Sequence, residues 1–277
     1  MSYVVRTAMG ILLCLGVVFA VQAQDKKNTV RIAVTTSFDN SGLANLILPA
    51  FTKKTSVNVE MVVVGTGQAL KLGKRGDVDA VLVHAKSTEL KYLKNGHASD
   101  RREVMYNDFI IVGPKSDPAK IRGIKKVADA LNRIKNSKST FLSRGDDSGT
   151  HKKELSLWKI AGENMKTYSG KWYRRTGSGM GATLNTGAAL NAYLMVDRGT
   201  WLSFKNKQQL ELLMEGDPPL FNQYGFLVVN QKRHPHIKSN LAETLRNWLT
   251  SREGQELIGS YRVKDQQLFV PNYQPQS

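Results

Sequence analysis

The chain has 277 residues, with 40 Lys and Arg against 23 Asp and Glu, a formal net charge of +17 and one cysteine. That length accommodates two domains of ordinary size, and one cysteine excludes a disulfide framework or a thiolate metal site. The basic balance favours an acidic or anionic partner. Yet Lys and Arg are scattered through short groups (FTKK, LGKRGD, GIKKV, HKKE, YRRT, QKRH), and no zinc-finger, RNA-recognition or basic-zipper pattern appears, so a nucleic-acid partner is not expected.

Taken in chain order, Met1 to Ala8 carries one positive charge, Arg6, Met9 to Ala20 is apolar, and Val21-Gln22-Ala23 places small residues at a cleavage position. This is the layout of a secretory signal peptide, residues 1–23. The apolar run is short for a membrane span, so an anchor is the weaker reading. Cys14 lies inside it and follows the bulky Leu13, where a lipoprotein processing site wants a small residue. The expected product is an exported, cysteine-free chain without a catalytic thiol.

The remainder opens with a strand, TVRIAVTTS, a loop, FDNSG, and a helix from Leu43 to Lys54. A second strand, VNVEMVVV, breaks at Gly65, a helix starts near GQALKLG, and VDAVLVHA from Val78 to Ala85 reads as a buried strand. Such alternation predicts an α/β architecture with a largely parallel sheet. Two apolar runs, Asp108 to Pro114 and Tyr224 to Gln231, bracket a second α/β stretch, and one amphipathic helix, LAETLRNWLTSREGQELIGSY, with Leu241, Leu245, Trp248 and Leu249 at helical spacing follows. The pattern predicts a two-lobed chain crossed twice: lobe one from 24–110 and 225–277, lobe two from 111–224, with a ligand cleft between them.

Ligands of open α/β sheets sit beyond the carboxyl ends of the strands. Those ends read Thr35-Thr36-Ser37, Gly65-Thr66-Gly67, His84, Ser143-Arg144-Gly145 running into Ser148-Gly149-Thr150, and Thr176 to Gly181. Hydroxyls and glycines ahead of a helix are anion-binding equipment: unpaired N–H groups, a partial positive charge and room for close approach. A plain N-cap explains any single one of them equally well. Arg144 is more telling, because its fork of donors matches an oxyanion; the alternative is a surface ion pair with a nearby Asp. Carboxylates are not concentrated at these ends, and Asp146 and Asp147 are accounted for as caps. Ser148 and His151 are three apart and leave a hydrolase open, although GDDSGT is not a nucleophile elbow and no orienting acid is visible. His84 and His151 belong to no recognisable metal-ligand spacing.

Thr35-Thr36-Ser37 with FDNSGL, VGTGQALKLGKRGDVDAVLVHA, VMYNDFIIVGP, SRGDDSGTHKKELSLWKIAG, GSGMGATL and DRGTWL together resemble the TupA-like tungstate-binding proteins of bacterial ABC uptake systems, over nearly the whole chain from Val30 onward. The resemblance implies a two-lobed periplasmic-binding-protein fold of type II (cluster two), with two mixed, mostly parallel sheets joined by two crossover strands. It implies a monomer in the periplasm that captures tungstate, and molybdate as well, and delivers it to a permease in the inner membrane. It implies no enzyme activity, no cofactor, and tungsten bound only as its oxyanion without direct protein ligands. The ligand-binding residues it implies are Thr35, Thr36, Ser37, Thr66, Arg144, Ser148, Gly149 and Thr150. Val34 stands where the family has a threonine, and Ser178 where it often has glutamine. A phosphate or sulfate binder remains the alternative, with Asp146 or Asp147 accepting the proton of hydrogen phosphate.

Overall fold

A computed structural model describes residues 27–168 and 170–272; the expected signal peptide therefore lies outside the described residues. The described residues divide into two compact units, 27–102 with 225–257, and 103–224 with 258–272.

In the first unit β1 (Thr29–Thr35), β2 (Asn58–Val64) and β3 (Ala80–Val83) run parallel in the order β2-β1-β3. β4 (Ala98–Pro114) begins in this unit and continues into the second. β9 (Phe221–Val229) returns from the second unit, and its later half lies antiparallel to β3 with Phe226 opposite Leu82. All four residues of β3 are buried, as befits a strand covered on both faces. The helix Leu43–Thr55 turns Leu43, Ala44, Ile47 and Phe51 inward, an apolar stripe at helical spacing. The helix Thr66–Arg75 stops at Gly76, whose φ of 77° is left-handed and is the usual way for a glycine to end a helix.

The second unit holds the rest of β4 with β5 (Phe141–Ser143), β6 (Tyr173–Arg175), β7 (Tyr193–Asp197) and β8 (Leu210–Met214). β5 lies between β7 and β6 and is parallel to both, whereas β7 and β8 run antiparallel to β4. Strand alternation sorts neighbours to opposite faces. Phe141 and Tyr193 join Trp158 and Trp172 in one core, while Leu142 and Leu194 join Leu184 and Ala188 in the other. Phe141 meets Trp158 edge-on at 5.2 Å.

Three expectations change. FDNSG is not simply a loop, because Thr36–Asn40 is a short helix. The C-terminal helix divides into Ser239–Leu249 and Arg252–Ser260. At the break Thr250 and Ser251 hydroxyls donate to the carbonyls of Arg246 and Trp248 at 3.0 and 2.7 Å, and such local bonds compete with helical ones. The lobe limits also shift: 103–110 and 258–272 group with the second unit. After β10 (Arg262–Val263) and β11 (Gln266–Gln267), β12 (Val270–Pro271) pairs with β4 through Val270 and Tyr106. Phe269 is buried with its ring 5.7 Å from that of Tyr224.

Candidate functional site

Register assembles the first unit's edge. Thr35 lies opposite Val64 and Val34 opposite Leu82, so the chains after β1, β2 and β3 leave the sheet side by side. Thr35 is buried and caps the helix Thr36–Asn40, its Oγ1 accepting from the N–H of Phe38 at 3.3 Å. It also shares a 3.0 Å hydrogen bond with Ser37 Oγ. Ser37 Oγ in turn lies 3.0 Å from Nε2 of His84, just past β3. Thr36 is exposed. Thr66 begins the helix Thr66–Arg75 behind Gly65, which supplies no side-chain cap to the first-turn N–H groups. Open space surrounds Gly65 and Gly67. Val34 is wholly buried in β1, paired with Val63 and Leu82; a valine there takes no hydroxyl from the exposed edge.

The second unit's edge is built differently. Ser143 lies opposite Arg175 in the parallel pair β5 and β6, and the N–H of Thr176 donates to the Ser143 carbonyl at 3.0 Å. Beyond Ser143 the chain takes left-handed φ at Gly145 (62°) and Asp147 (57°). A Cβ on Gly145 would fall 2.7 Å from Cβ of Arg175, so both backbone and space require glycine. The turn delivers Ser148 as the N-cap of the helix Gly149–Ile160.

Within this turn Asp146 is the organiser. Its Oδ1 accepts from the N–H and Oγ of Ser148 at 3.2 and 2.6 Å, and its Oδ2 pairs with Nη2 of Arg144. Burial works to raise the Asp146 carboxyl, but the Ser148 hydrogen bonds and the Arg144 guanidinium outweigh it and hold the group below its ordinary value. Arg144 also reaches Thr150 Oγ1 through Nη1 at 3.4 Å, while its Nε is buried without a hydrogen-bond partner among the described residues. Arg144, Ser148, Gly149 and Thr150 are therefore together, as expected, but Ser148 differs from the rest. Its hydroxyl donates to Asp146 and accepts from the N–H of His151 at 3.2 Å, so it shapes the turn. Gly149 is exposed at the first turn. Alongside, the helix Met180–Leu190 starts behind Gly179 with no side-chain cap. Thr176 Oγ1 and Thr183 Oγ1 tie that loop at 2.8 Å.

The hydrolase arrangement does not form. His151 Nδ1 accepts from the N–H of Asp147 at 3.0 Å and the proton of Ser148 goes to Asp146, so imidazole and hydroxyl are not paired as base and nucleophile. Burial lowers the His151 pKa. Arg198 of the DRGTWL stretch is spent on Asp108 Oδ1 at 2.7 Å and on Glu215. One turn beneath Thr150, Glu154 is buried, takes the Tyr173 hydroxyl at 2.7 Å, and is pushed up to about 7 by burial. No group of three or more His, Cys, Asp or Glu is placed to hold a metal ion among the described residues.

One feature escaped the sequence reading, the bond from Ser37 to His84; the alternative weighed for Arg144, an ion pair with a nearby Asp, is present, and Asp146 supplies it. Only the register of β1 with β3 brings Ser37 and His84 together. Asp146 is two residues from Arg144, and that spacing was the one available signal for the ion pair.

The model of the PBP superfamily domain matches residues 20–253. The chain is 43% identical over 256 residues to the tungstate-binding protein TupA of Peptoclostridium acidaminophilum, covering 91% of this chain and 88% of that one. Among solved structures it matches the tungstate-binding protein TupA of Desulfovibrio alaskensis G20 at 42% identity and a TM-score of 0.85, over 89% of this chain and 99% of that one. It also matches a tungstate ABC transporter structure from Geobacter sulfurreducens at 47% identity and a TM-score of 0.73, over 85% and 99% of the two chains. With its α/β units and hydroxyl-lined strand ends, the chain belongs to the TupA-like family of the PBP superfamily.

Proposed function

We propose that this protein is a periplasmic solute-binding protein that captures tungstate, and molybdate too, and hands it to the permease of an ABC transporter. It is a transport protein and not an enzyme, and it works as a monomer. The observation that carries the reading is Arg144, held at a strand end with Thr150 at its side and one buried N–H unspent. Two uncapped helix starts, at Thr66 and Met180, lie at the strand ends of the two units, and relatives of 43% and 42% identity named as tungstate-binding proteins support the choice of ligand.

In this reading Thr36, Ser37, Thr66, Arg144, Gly149 and Thr150 donate to the oxyanion, and Thr35 and Ser148 hold the donors in place. Tungsten meets the protein only through its oxygens, and no cofactor is needed. Each hydrogen bond to a charged group contributes roughly 1.5–3 kcal/mol. Six of them, after desolvation and ordering costs, suffice for the about −12 kcal/mol of nanomolar binding.

A phosphate binder is the second reading, because Asp146 puts an acceptor beside Arg144. It is the weaker one: Oδ1 of that carboxylate already takes two donors from Ser148 and Oδ2 takes Arg144. Calorimetric titration with tungstate, molybdate, sulfate and phosphate tests the choice. Tight binding of tungstate with weak or no binding of phosphate and sulfate is expected, and the reverse order overturns the reading.

A further inference from the structure

In the first unit Thr35, Ser37 and His84 are linked by hydrogen bonds. Phe38 N–H donates to Thr35 Oγ1 at 3.3 Å, Thr35 Oγ1 and Ser37 Oγ lie 3.0 Å apart, and Ser37 Oγ lies 3.0 Å from His84 Nε2. Each hydroxyl has one proton, and a neutral imidazole nitrogen either donates or accepts. Between these neighbours, the direction of the last bond bears on what Ser37 shows to a ligand. If Nε2 accepts, the Ser37 proton goes to the ring, and Ser37 turns only lone pairs toward an anion. If Nε2–H donates, Ser37 can send its own proton outward to an oxyanion, with the Thr35 hydroxyl as its second donor. The two arrangements use the same heavy-atom positions and differ only in where the protons sit.

We infer that His84 is a positioning residue for oxyanion binding: its Nε2–H donates to Ser37 Oγ in the bound protein and thereby makes Ser37 an anion donor. The inference rests on the proposed oxyanion reading. His84 does not touch the ligand; it acts through Ser37. It belongs to no metal cluster among the described residues, and its place just past β3, beside the end of β1, accounts for the contact. An anion recognised by donors alone requires each hydroxyl that touches it to point a proton at it, and an imidazole beside such a hydroxyl can draw that proton away.

The test is tungstate calorimetry on His84→Leu, His84→Gln, Ser37→Ala and the double variant Ser37→Ala with His84→Leu. Nitrogen-15 NMR of the histidine-labelled parent, with and without tungstate, accompanies it. His84→Leu should weaken binding about ten- to hundredfold, the loss of one charge-assisted hydrogen bond. His84→Gln keeps an amide donor and should recover most of that loss. The double variant should bind no worse than Ser37→Ala, because a residue acting only through Ser37 has nothing left to act on. The bound parent should show His84 protonated at Nε2. Additive losses, an unaffected His84→Leu, or a bound His84 protonated only at Nδ1 overturn the inference while leaving tungstate binding intact. A parent that binds none of the four oxyanions overturns the underlying reading and the inference with it. The NMR result on the parent stands even if a variant fails to fold.

Discussion

The two hydroxyl-lined edges are built by different means. The first unit's edge is built from hydroxyls: Thr35, Thr36, Ser37 and Thr66, with His84 behind Ser37. The second unit's edge is built on an ion pair, Arg144 with Asp146, only 18% and 19% exposed. An ion pair this sheltered gains from weak screening yet must offset desolvation, and Ser148 supplies the extra hydrogen bonds that make it tenable. The difference separates charge from fit. In the proposed function Arg144 supplies the charge and the hydroxyls of Thr36, Ser37 and Thr66 supply direction, so substitutions at the two edges should differ in size and in what they do to selectivity.

The comparison breaks most completely at Arg144. Arg144→Glu sets a carboxylate beside Asp146 and against a dianion, and should lower tungstate affinity by at least about a thousandfold, or roughly 4 kcal/mol. Arg144→Lys keeps the charge but loses the fork and should fall between Arg144→Glu and the parent, with poorer discrimination among oxyanions. Far-ultraviolet circular dichroism should not change. If Arg144→Glu binds as tightly as the parent, the second edge is not the charged half of a site.

Occupancy should also register as stability. A ligand bound only by the native state adds RT ln(1 + [L]/Kd), about 4 kcal/mol at a thousandfold excess over Kd. Tungstate should raise Tm by several degrees and sulfate at the same concentration should not; equal shifts would remove the selectivity assigned to the edges.

Beneath the edge that carries Arg144, Glu154 predicts a pH effect. Its buried carboxyl titrates at about 7 against an ordinary 4.5. Between those values the native chain keeps a proton that the unfolded chain has lost, so unfolding free energy falls as pH rises through this window. The loss totals up to about 3 kcal/mol and levels off above pH about 7. Glu154→Gln can still accept from the Tyr173 hydroxyl and should flatten the profile. Denaturant titrations at pH about 5 and about 8 check it, and an unchanged slope in the variant would assign the pH dependence elsewhere.

Much of this was legible in the sequence, for identifiable reasons. The alternation of VDAVLVHA-like strands with amphipathic helices fixes the α/β class, because a strand buried on both faces reads as an unbroken apolar run. The strand ends were visible as clusters of Gly, Ser and Thr. What was not legible depends on direction. Ser148 reads as a ligand donor until the left-handed residues Gly145 and Asp147 turn its hydroxyl onto Asp146. His84 meets Ser37 only through the β1 and β3 register, 47 residues apart in the chain. The return of 258–272 to the second unit rests on β12, a two-residue strand too short to carry a periodic signal.

The smallest expected effects sharpen the comparison best, because they set like against like. Thr150 and Thr66 are both hydroxyls at the start of a helix, the first beside Arg144 and the second behind an uncapped glycine. Thr150→Ala removes one neutral donor, and the backbone N–H groups of its helix remain, so the cost should be on the order of 1 kcal/mol, roughly fivefold in Kd. Thr150 also accepts from Nη1 of Arg144, so its loss should slightly loosen the guanidinium and blur the ranking of tungstate over sulfate. Thr66→Ala should cost a similar amount in affinity, yet leave that ranking where it was, because among the described residues its hydroxyl makes no hydrogen bond to a charged side chain. Titrating both variants with both anions separates the cases. Equal loss of selectivity from the two variants would mean that discrimination is shared across both edges, and that Arg144 is not where tungstate is told from other dianions.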